Sequence, residues 1–202
     1  MSQPAMSAGL YFVAGGARSG KSAFAEDLAM SCGPNVAYLA TGQVWDEEMA
    51  DRVALHQKRR PASWSTTEVP LGGEGQILPL SRTVDGILFD CLTLFITNIM
   101  LAPDYQGLEK LVLRQLVLER VDDLIRAAVS AACPVIVVSN ETGQGIVPDN
   151  ALSREFRDLV GIANSRMAAA AQDAWFVMCG IPVALKELDW RQKNGWKAED
   201  RQ

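Results

Sequence analysis

Gly15-Gly16-Ala17-Arg18-Ser19-Gly20-Lys21-Ser22 sets glycines, a lysine and a hydroxyl at the fixed spacing G-x-x-x-x-G-K-[ST]. Such a stretch can close backbone N–H groups around phosphate oxygens, because glycine permits a turn and an approach that a Cβ would obstruct. Lys21 would reach the β- and γ-phosphates, and the Ser22 hydroxyl would help to hold Mg²⁺. The apolar run Leu10–Ala14 enters the loop as a buried strand, and Ala23–Ala29 leaves it as a helix. The helix N-terminus adds partial positive charge beside the phosphates. The chemistry is binding of a nucleoside triphosphate.

Two further groups could act with the loop. Asp90 ends the apolar run Gly86–Phe89, and a carboxylate at such a strand end orders Mg²⁺ or its water shell beside a phosphate loop. The alternative is a capping aspartate for the helix that starts near Thr93 and runs through Leu94–Met100. Asp46–Pro61 reads as a helix capped by Asp46, acidic in its first turn, basic in its last and stopped by Pro61. Helical spacing puts Arg52, His56 and Arg59 or Arg60 on one face. His56 is the only histidine in the chain. Its cations could simply complement the helix dipole. They would also draw a polyphosphate and keep the imidazole unprotonated and nucleophilic near neutral pH.

These groups require a parallel sheet to position them. Val36–Thr41, Ile87–Asp90 and Val135–Asn140 read as further strands, the last two continuously apolar as buried parallel strands are. Ala174–Met178 and Ile181–Leu185 read as a closing pair around Cys179-Gly180, at an edge because of Pro182. Leu108 to about Ala132 and Val160–Ala171 carry helical periodicity. Leu71–Val84 reads as a loop or weak helix. The fold expected is α/β: a single phosphate-loop NTPase-like domain, a mostly parallel sheet with helices on both faces and antiparallel edge pairing near the C-terminus. Residues 1–9 form an extension, 10–186 the domain and 187–202 a polar tail.

Composition excludes other classes. A net charge of -5 argues against a general nucleic-acid binder. No apolar run approaches the ~18 residues of a membrane span. Met1–Gly9 lacks the pattern of a signal peptide. Cys32, Cys91, Cys133 and Cys179 form no C-x-x-C pair and lie in or beside apolar runs, so buried free thiols are expected. That favours a reducing compartment, and a cytoplasmic protein is expected.

The chain resembles the bifunctional adenosylcobinamide kinase/adenosylcobinamide-phosphate guanylyltransferases of cobalamin biosynthesis. The resemblance rests on Gly15–Ser22, Tyr38-Leu39-Ala40-Thr41, Asp46–Met49 with Arg52 and His56, and Arg60-Pro61 with Trp64, Thr67 and Glu68. It continues through Asp90, Thr93, Thr97-Asn98, Ser139-Asn140-Glu141, Gly143, Gly145–Pro148, Arg154, Phe156–Asp158, Gly161, Asn164 and Gly180–Pro182. It covers roughly residues 10 to 186. It implies two reactions: ATP or GTP phosphorylates adenosylcobinamide, and His56 then carries GMP from GTP to adenosylcobinamide phosphate, releasing pyrophosphate. It also implies nucleotide contacts at Ala40, Thr41, Gly42, Gln57, Lys58, Arg59, Arg60, Glu68 and Asp90, and a homo-oligomer with a trimer the leading guess. Asp90 stands where a glutamate can stand in the family, which keeps the charge and shortens the reach. Two other readings stay open: a phosphate-loop kinase for another small molecule with a structural His56, or a nucleotide-dependent switch.

Overall fold

A computed structural model describes residues 6–42 and 60–194. In chain order the elements are β1 (Gly9–Gly15), α1 (Lys21–Cys32), β2 (Val36–Ala40), β3 (Ser65–Glu68), α2 (Glu74–Leu80), β4 (Gly86–Asp90) and α3 (Leu92–Leu101). There follow a short 3₁₀ turn at Pro103–Tyr105, then α4 (Lys110–Val129), β5 (Pro134–Asn140), α5 (Ala151–Ala170), β6 (Asp173–Met178) and β7 (Ile181–Ala184). The short helices α6 (Leu185–Leu188) and α7 (Trp190–Lys193) complete the described residues. The seven strands form one sheet in the order β3-β2-β4-β5-β1-β6-β7. Every pairing is parallel except β6 with β7.

The strand alternation explains why both faces carry helices. In β1, Leu10, Phe12 and Ala14 point into one apolar cluster and Tyr11 and Val13 into the other. The first cluster is filled by Phe95, Ile96 and Ile99 of α3, Val117, Val121 and Leu124 of α4, and Leu159, Val160, Ala163 and Met167 of α5. The second is filled by Ala25, Leu28 and Ala29 of α1 with Trp64. A sheet buried on both faces reads as continuous apolar runs, and all seven residues of β1 are buried.

The expected α/β fold and the antiparallel edge are present, with four differences in detail. Ser65–Glu68 is a strand that periodicity does not reveal: all four residues are exposed, and the segment is held by parallel pairing to β2 rather than by burial. The strand that ends in Asp90 is therefore the fourth in the chain. Leu71–Val84 contains α2, which tolerates Pro79 in its last turn and is anchored by buried Ile77 and by the 2.5 Å Glu74–Arg120 ion pair to α4. Helix α5 begins at Ala151 rather than Val160, because the Asn150 side chain caps it by accepting the Ser153 N–H at 2.8 Å. Its charged first half hides an apolar face and docks Glu155 on Arg114 (2.8 Å) and Lys110 (3.0 Å) of α4.

The cysteines also depart from expectation. All four are free, Cys91 and Cys133 are buried and Cys32 is half-buried, but Cys179 is exposed. It sits at φ 52° in the β6–β7 turn with Gly180 at φ 81°, so hairpin geometry rather than a core contact places it.

Phe95 is fully buried and packs edge-on against Phe89 at 5.7 Å between ring centroids. Phe95→Ala should lower stability by about 3–5 kcal/mol by removing this packing. Urea titration should show a lower midpoint at unchanged slope; a loss under about 1 kcal/mol would contradict the packing.

Candidate active site

The loop Gly15–Ser22 lies between β1 and α1 at the carboxyl ends of the parallel strands, where open α/β sheets bind ligands. Its shape is dictated by close backbone approaches. Gly20 has φ 94°, and a Cβ there would lie 3.3 Å from the Gly180 Cα. A Cβ on Gly15 would come within 2.6 Å of the Val177 carbonyl oxygen and of Ser19 Oγ. A Cβ on Gly16 would meet nothing within 4 Å, so that side of the loop is open to a ligand. The Gly180 N–H donates to the Ser19 carbonyl (2.9 Å), and the Glu141 N–H donates to the Gly15 carbonyl (3.0 Å). The turns after β6 and β5 thus hold the loop from both sides.

Lys21 folds back across the loop and donates to the Gly16 carbonyl at 3.2 Å. Burial draws its ammonium below the ordinary lysine value, and the nearby Cys91 and Asp90 oppose that shift. The expected carboxylate is therefore within electrostatic reach of the expected lysine, although β5 separates β4 from β1 in the sheet.

Asp90 does not cap α3; the cap position is Cys91, in extended conformation. Its Oδ2 instead accepts the Tyr38 hydroxyl at 2.8 Å. Thr41, fully buried, fastens the same turn. Its N–H donates to the Asp90 carbonyl (3.0 Å), its hydroxyl donates to the Cys91 carbonyl (2.8 Å), and it accepts the Cys91 N–H (2.7 Å). The Asn98 amide ties the Thr41 and Pro70 carbonyls (2.8 and 2.9 Å). Ala40 pairs with Glu68 in register, so Ala40, Thr41, Gly42, Glu68 and Asp90 gather at the carboxyl ends of β2, β3 and β4.

Arg60 is placed differently from a residue that reaches into solvent for a nucleotide. Its guanidinium carbon lies 3.2 Å from the Tyr38 ring centroid. Its Nε lies 3.8 Å from Glu26 Oε1 of α1, with both side chains more than nine-tenths buried. Burial, and then the Asp90 charge, push the Tyr38 phenol well above its ordinary range, which keeps it a donor. His56, Gln57, Lys58 and Arg59, with the helix expected at Asp46–Pro61 up to Arg59, lie outside the described residues.

Sequence reasoning gave no role to a polar belt behind the loop. The Asn140 amide donates to Thr93 Oγ1 (2.9 Å), and Thr93 Oγ1 lies 3.0 Å from Cys91 Sγ. The Ser139 hydroxyl donates to Asn164 Oδ1 (2.6 Å), and the Asn164 amide donates to the Asn140 carbonyl (3.0 Å). The one available signal was that the apolar run of β5, like that of β4, ends in a polar residue. Farther out, an open cavity of about 730 Å³ lies between α4, α5 and the loop after β5, with Arg114, Arg157 and Arg166 on its wall.

A glycine-rich strand–loop–helix facing a carboxylate across a doubly covered parallel sheet defines a phosphate-loop nucleotide-binding enzyme. The family model for cobinamide kinase / cobinamide phosphate guanyltransferase matches residues 11–185. The chain belongs to that family. It is 40% identical over 190 residues to the bifunctional adenosylcobalamin biosynthesis protein CobU of Salmonella typhimurium, covering 88% of this chain and 99% of the relative. It is also 40% identical over 174 residues to the bifunctional protein CobP of Pseudomonas aeruginosa, covering 86% and 95%. The CobU protein of Escherichia coli is 37% identical over 186 residues, covering 88% and 99%. Among solved structures, the flagellar accessory protein FlaH of Methanocaldococcus jannaschii aligns with a TM-score of 0.40 and 15% identity over 83% of this chain and 70% of that one, a likeness too loose to bear on function.

Cys91 is buried, and desolvation with the Asp90 charge pushes its thiol up to about 11. Iodoacetamide at pH 8 should therefore alkylate Cys179 and spare Cys91 in the native protein, read by peptide mass mapping. Equal rates at the two sites would contradict this burial.

Proposed function

We propose that this protein phosphorylates adenosylcobinamide and then converts adenosylcobinamide phosphate to adenosylcobinamide-GDP, through the loop Gly15–Ser22 and His56. The observation that carries the reading is Lys21, held by the loop within electrostatic reach of Asp90, in a chain of the cobinamide kinase / cobinamide phosphate guanyltransferase family. In the first reaction the aminopropanol hydroxyl of the corrinoid attacks the γ-phosphorus of ATP or GTP. The bond to the β-phosphate oxygen breaks, the nucleoside diphosphate leaves, and the hydroxyl proton passes to solvent. Lys21 and the loop N–H groups hold the phosphates and stabilise the spreading negative charge. In the second reaction an imidazole nitrogen of His56 attacks the α-phosphorus of GTP and pyrophosphate leaves. The corrinoid phosphate then attacks that phosphorus, the P–N bond breaks and the imidazole is restored. The imidazole is thus the nucleophile of the first displacement and the leaving group of the second, which splits one difficult transfer into two easier ones.

The donors near the loop suit Mg²⁺. Ser22 and Asp90 offer oxygen only, and among the described residues there is no cluster of three or more His, Cys, Asp or Glu that would make an all-protein cage. Mg²⁺ commonly keeps several waters and binds through one or two protein oxygens plus substrate phosphates. When bound there it would neutralise phosphate charge. We assign the remaining nucleotide contacts to Ala40, Thr41 and Gly42 at the end of β2, to Gln57, Lys58, Arg59 and Arg60, and to Glu68. The buried Thr41 and Arg60 side chains act by holding backbone and neighbours in place rather than by exposure. Residues 10–186 form the catalytic domain and 187–202 an appendage. A cytoplasmic homo-oligomer, a trimer first, completes the proposal. Among the described residues no helix is long and apolar enough to cross a membrane.

GTP labelled at the α-phosphate should leave an acid-labile, base-stable label on the protein. The label should be absent in His56→Ala; an unlabelled wild type, or a labelled variant, would remove the guanylyl-transfer step. Lys21→Ala should lower kinase turnover by about 100-fold or more through loss of charge stabilisation, measured with adenosylcobinamide as acceptor. Unchanged turnover would take the phosphate role away from the loop.

A further inference from the structure

The two groups assigned to the metal, Ser22 and Asp90, lie on α1 and β4, and α1 packs directly on β4 and β5. Ser22 lies in the first turn of α1, which follows β1, and β5 stands between β1 and β4. Glu26 lies one turn beyond Ser22 on the same face of α1. From it a buried chain of contacts runs to Asp90. Glu26 faces Arg60 (Oε1 to Nε 3.8 Å), Arg60 lies flat over Tyr38 (3.2 Å to the ring centroid), and the Tyr38 hydroxyl donates to Asp90 Oδ2 (2.8 Å).

The chemistry of these contacts favours orientation over stability. Placing a guanidinium and a carboxylate in the apolar cluster of Tyr38, Leu28 and Trp64 carries a desolvation penalty that the ion pair need not recover. Arg60 Nε forms no hydrogen bond among the described residues, so the planar stack and the ion pair orient the group. A planar cation over the ring face restricts the ring, and a restricted ring gives its hydroxyl one direction. Donation to one carboxylate oxygen restricts the rotation of the carboxyl group.

We propose that Tyr38 and Arg60 are positioning residues that hold the Asp90 carboxylate in its metal-binding orientation, with Glu26 anchoring them to the loop helix. The proposal rests on the reading of Asp90 as the carboxylate that meets Mg²⁺ bound to the triphosphate. Tyr38→Phe keeps the ring under Arg60 and removes only the donor. Arg60→Lys keeps the charge and removes the planar stack.

The test is calorimetric binding of α,β-methylene-GTP, which cannot guanylylate the protein, in a Mg²⁺ series and without Mg²⁺. Of the two variants, Tyr38→Phe should bind the metal-free nucleotide as the wild type does. Both should need about tenfold more Mg²⁺ for half of the metal-dependent gain in affinity, the loss of one hydrogen bond to a charged group. Kinase kcat should fall at low Mg²⁺ and recover at high Mg²⁺, a rescue that a merely structural role would not produce. Asp90→Ala is the control: if it shifts the Mg²⁺ curve and Tyr38→Phe does not, the positioning role is overturned and the Asp90 reading stands. If Asp90→Ala itself leaves the curve unmoved, the Asp90 reading fails and takes the proposal with it. Should Tyr38→Phe not fold, Arg60→Lys is read alone, and an unshifted curve overturns the proposal.

Discussion

The parallel pairing of β1 with both β5 and β6 is the constraint on which the site depends. It buries β1 on both faces and delivers Gly15 to the carboxyl end of the sheet between two other chain reversals. Glu141, after β5, and Gly180, after β6, then reach the loop through single backbone hydrogen bonds. A loop held from both sides presents its N–H groups without reorganising when a phosphate arrives, and preorganised donors are the effective ones.

The same register gathers the polar groups. Gly15 lies opposite Asn140, and Asp90 lies opposite Val138 on the other side of β5. The loop, the amide and the carboxylate therefore line one edge while the bodies of β1, β4 and β5 remain apolar. The belt from Ser139 and Asn164 through Asn140 to Thr93 satisfies the polar atoms that this convergence buries. A polar group left without a partner there would be penalised heavily. Asp90 is held on one side by Thr41 through the backbone and on the other by Tyr38 through the carboxylate. Tyr38 of β2 and Thr41 just beyond it thus fix the side chain and the backbone of one residue of β4.

Much of this was legible from local signals. The loop motif and the apolar runs of β1, β4 and β5 carry their own information, because a glycine spacing and a fully buried strand need no distant residue to be recognised. Pro182 likewise marked β7 as an edge. The misses have a common cause. β3 owes its strand to pairing with β2, not to its own exposed Ser65-Thr66-Thr67-Glu68. The first half of α5 owes its helix to the Asn150 cap and to Glu155 meeting Lys110 and Arg114. Cys179 is exposed because a hairpin turn, not an apolar neighbour, determines its position.

By itself, then, the order of residues determined the phosphate loop, the carboxylate at the end of a buried strand and the parallel α/β class, since each is written in spacing along the chain. Only the tertiary structure decided that Asp90 answers to Tyr38 rather than capping a helix, and that Arg60 lies over that ring against Glu26. Those contacts join residues tens of positions apart in sequence. Which partner a buried charge finds is set by how three elements stack across the sheet, and no local period encodes that.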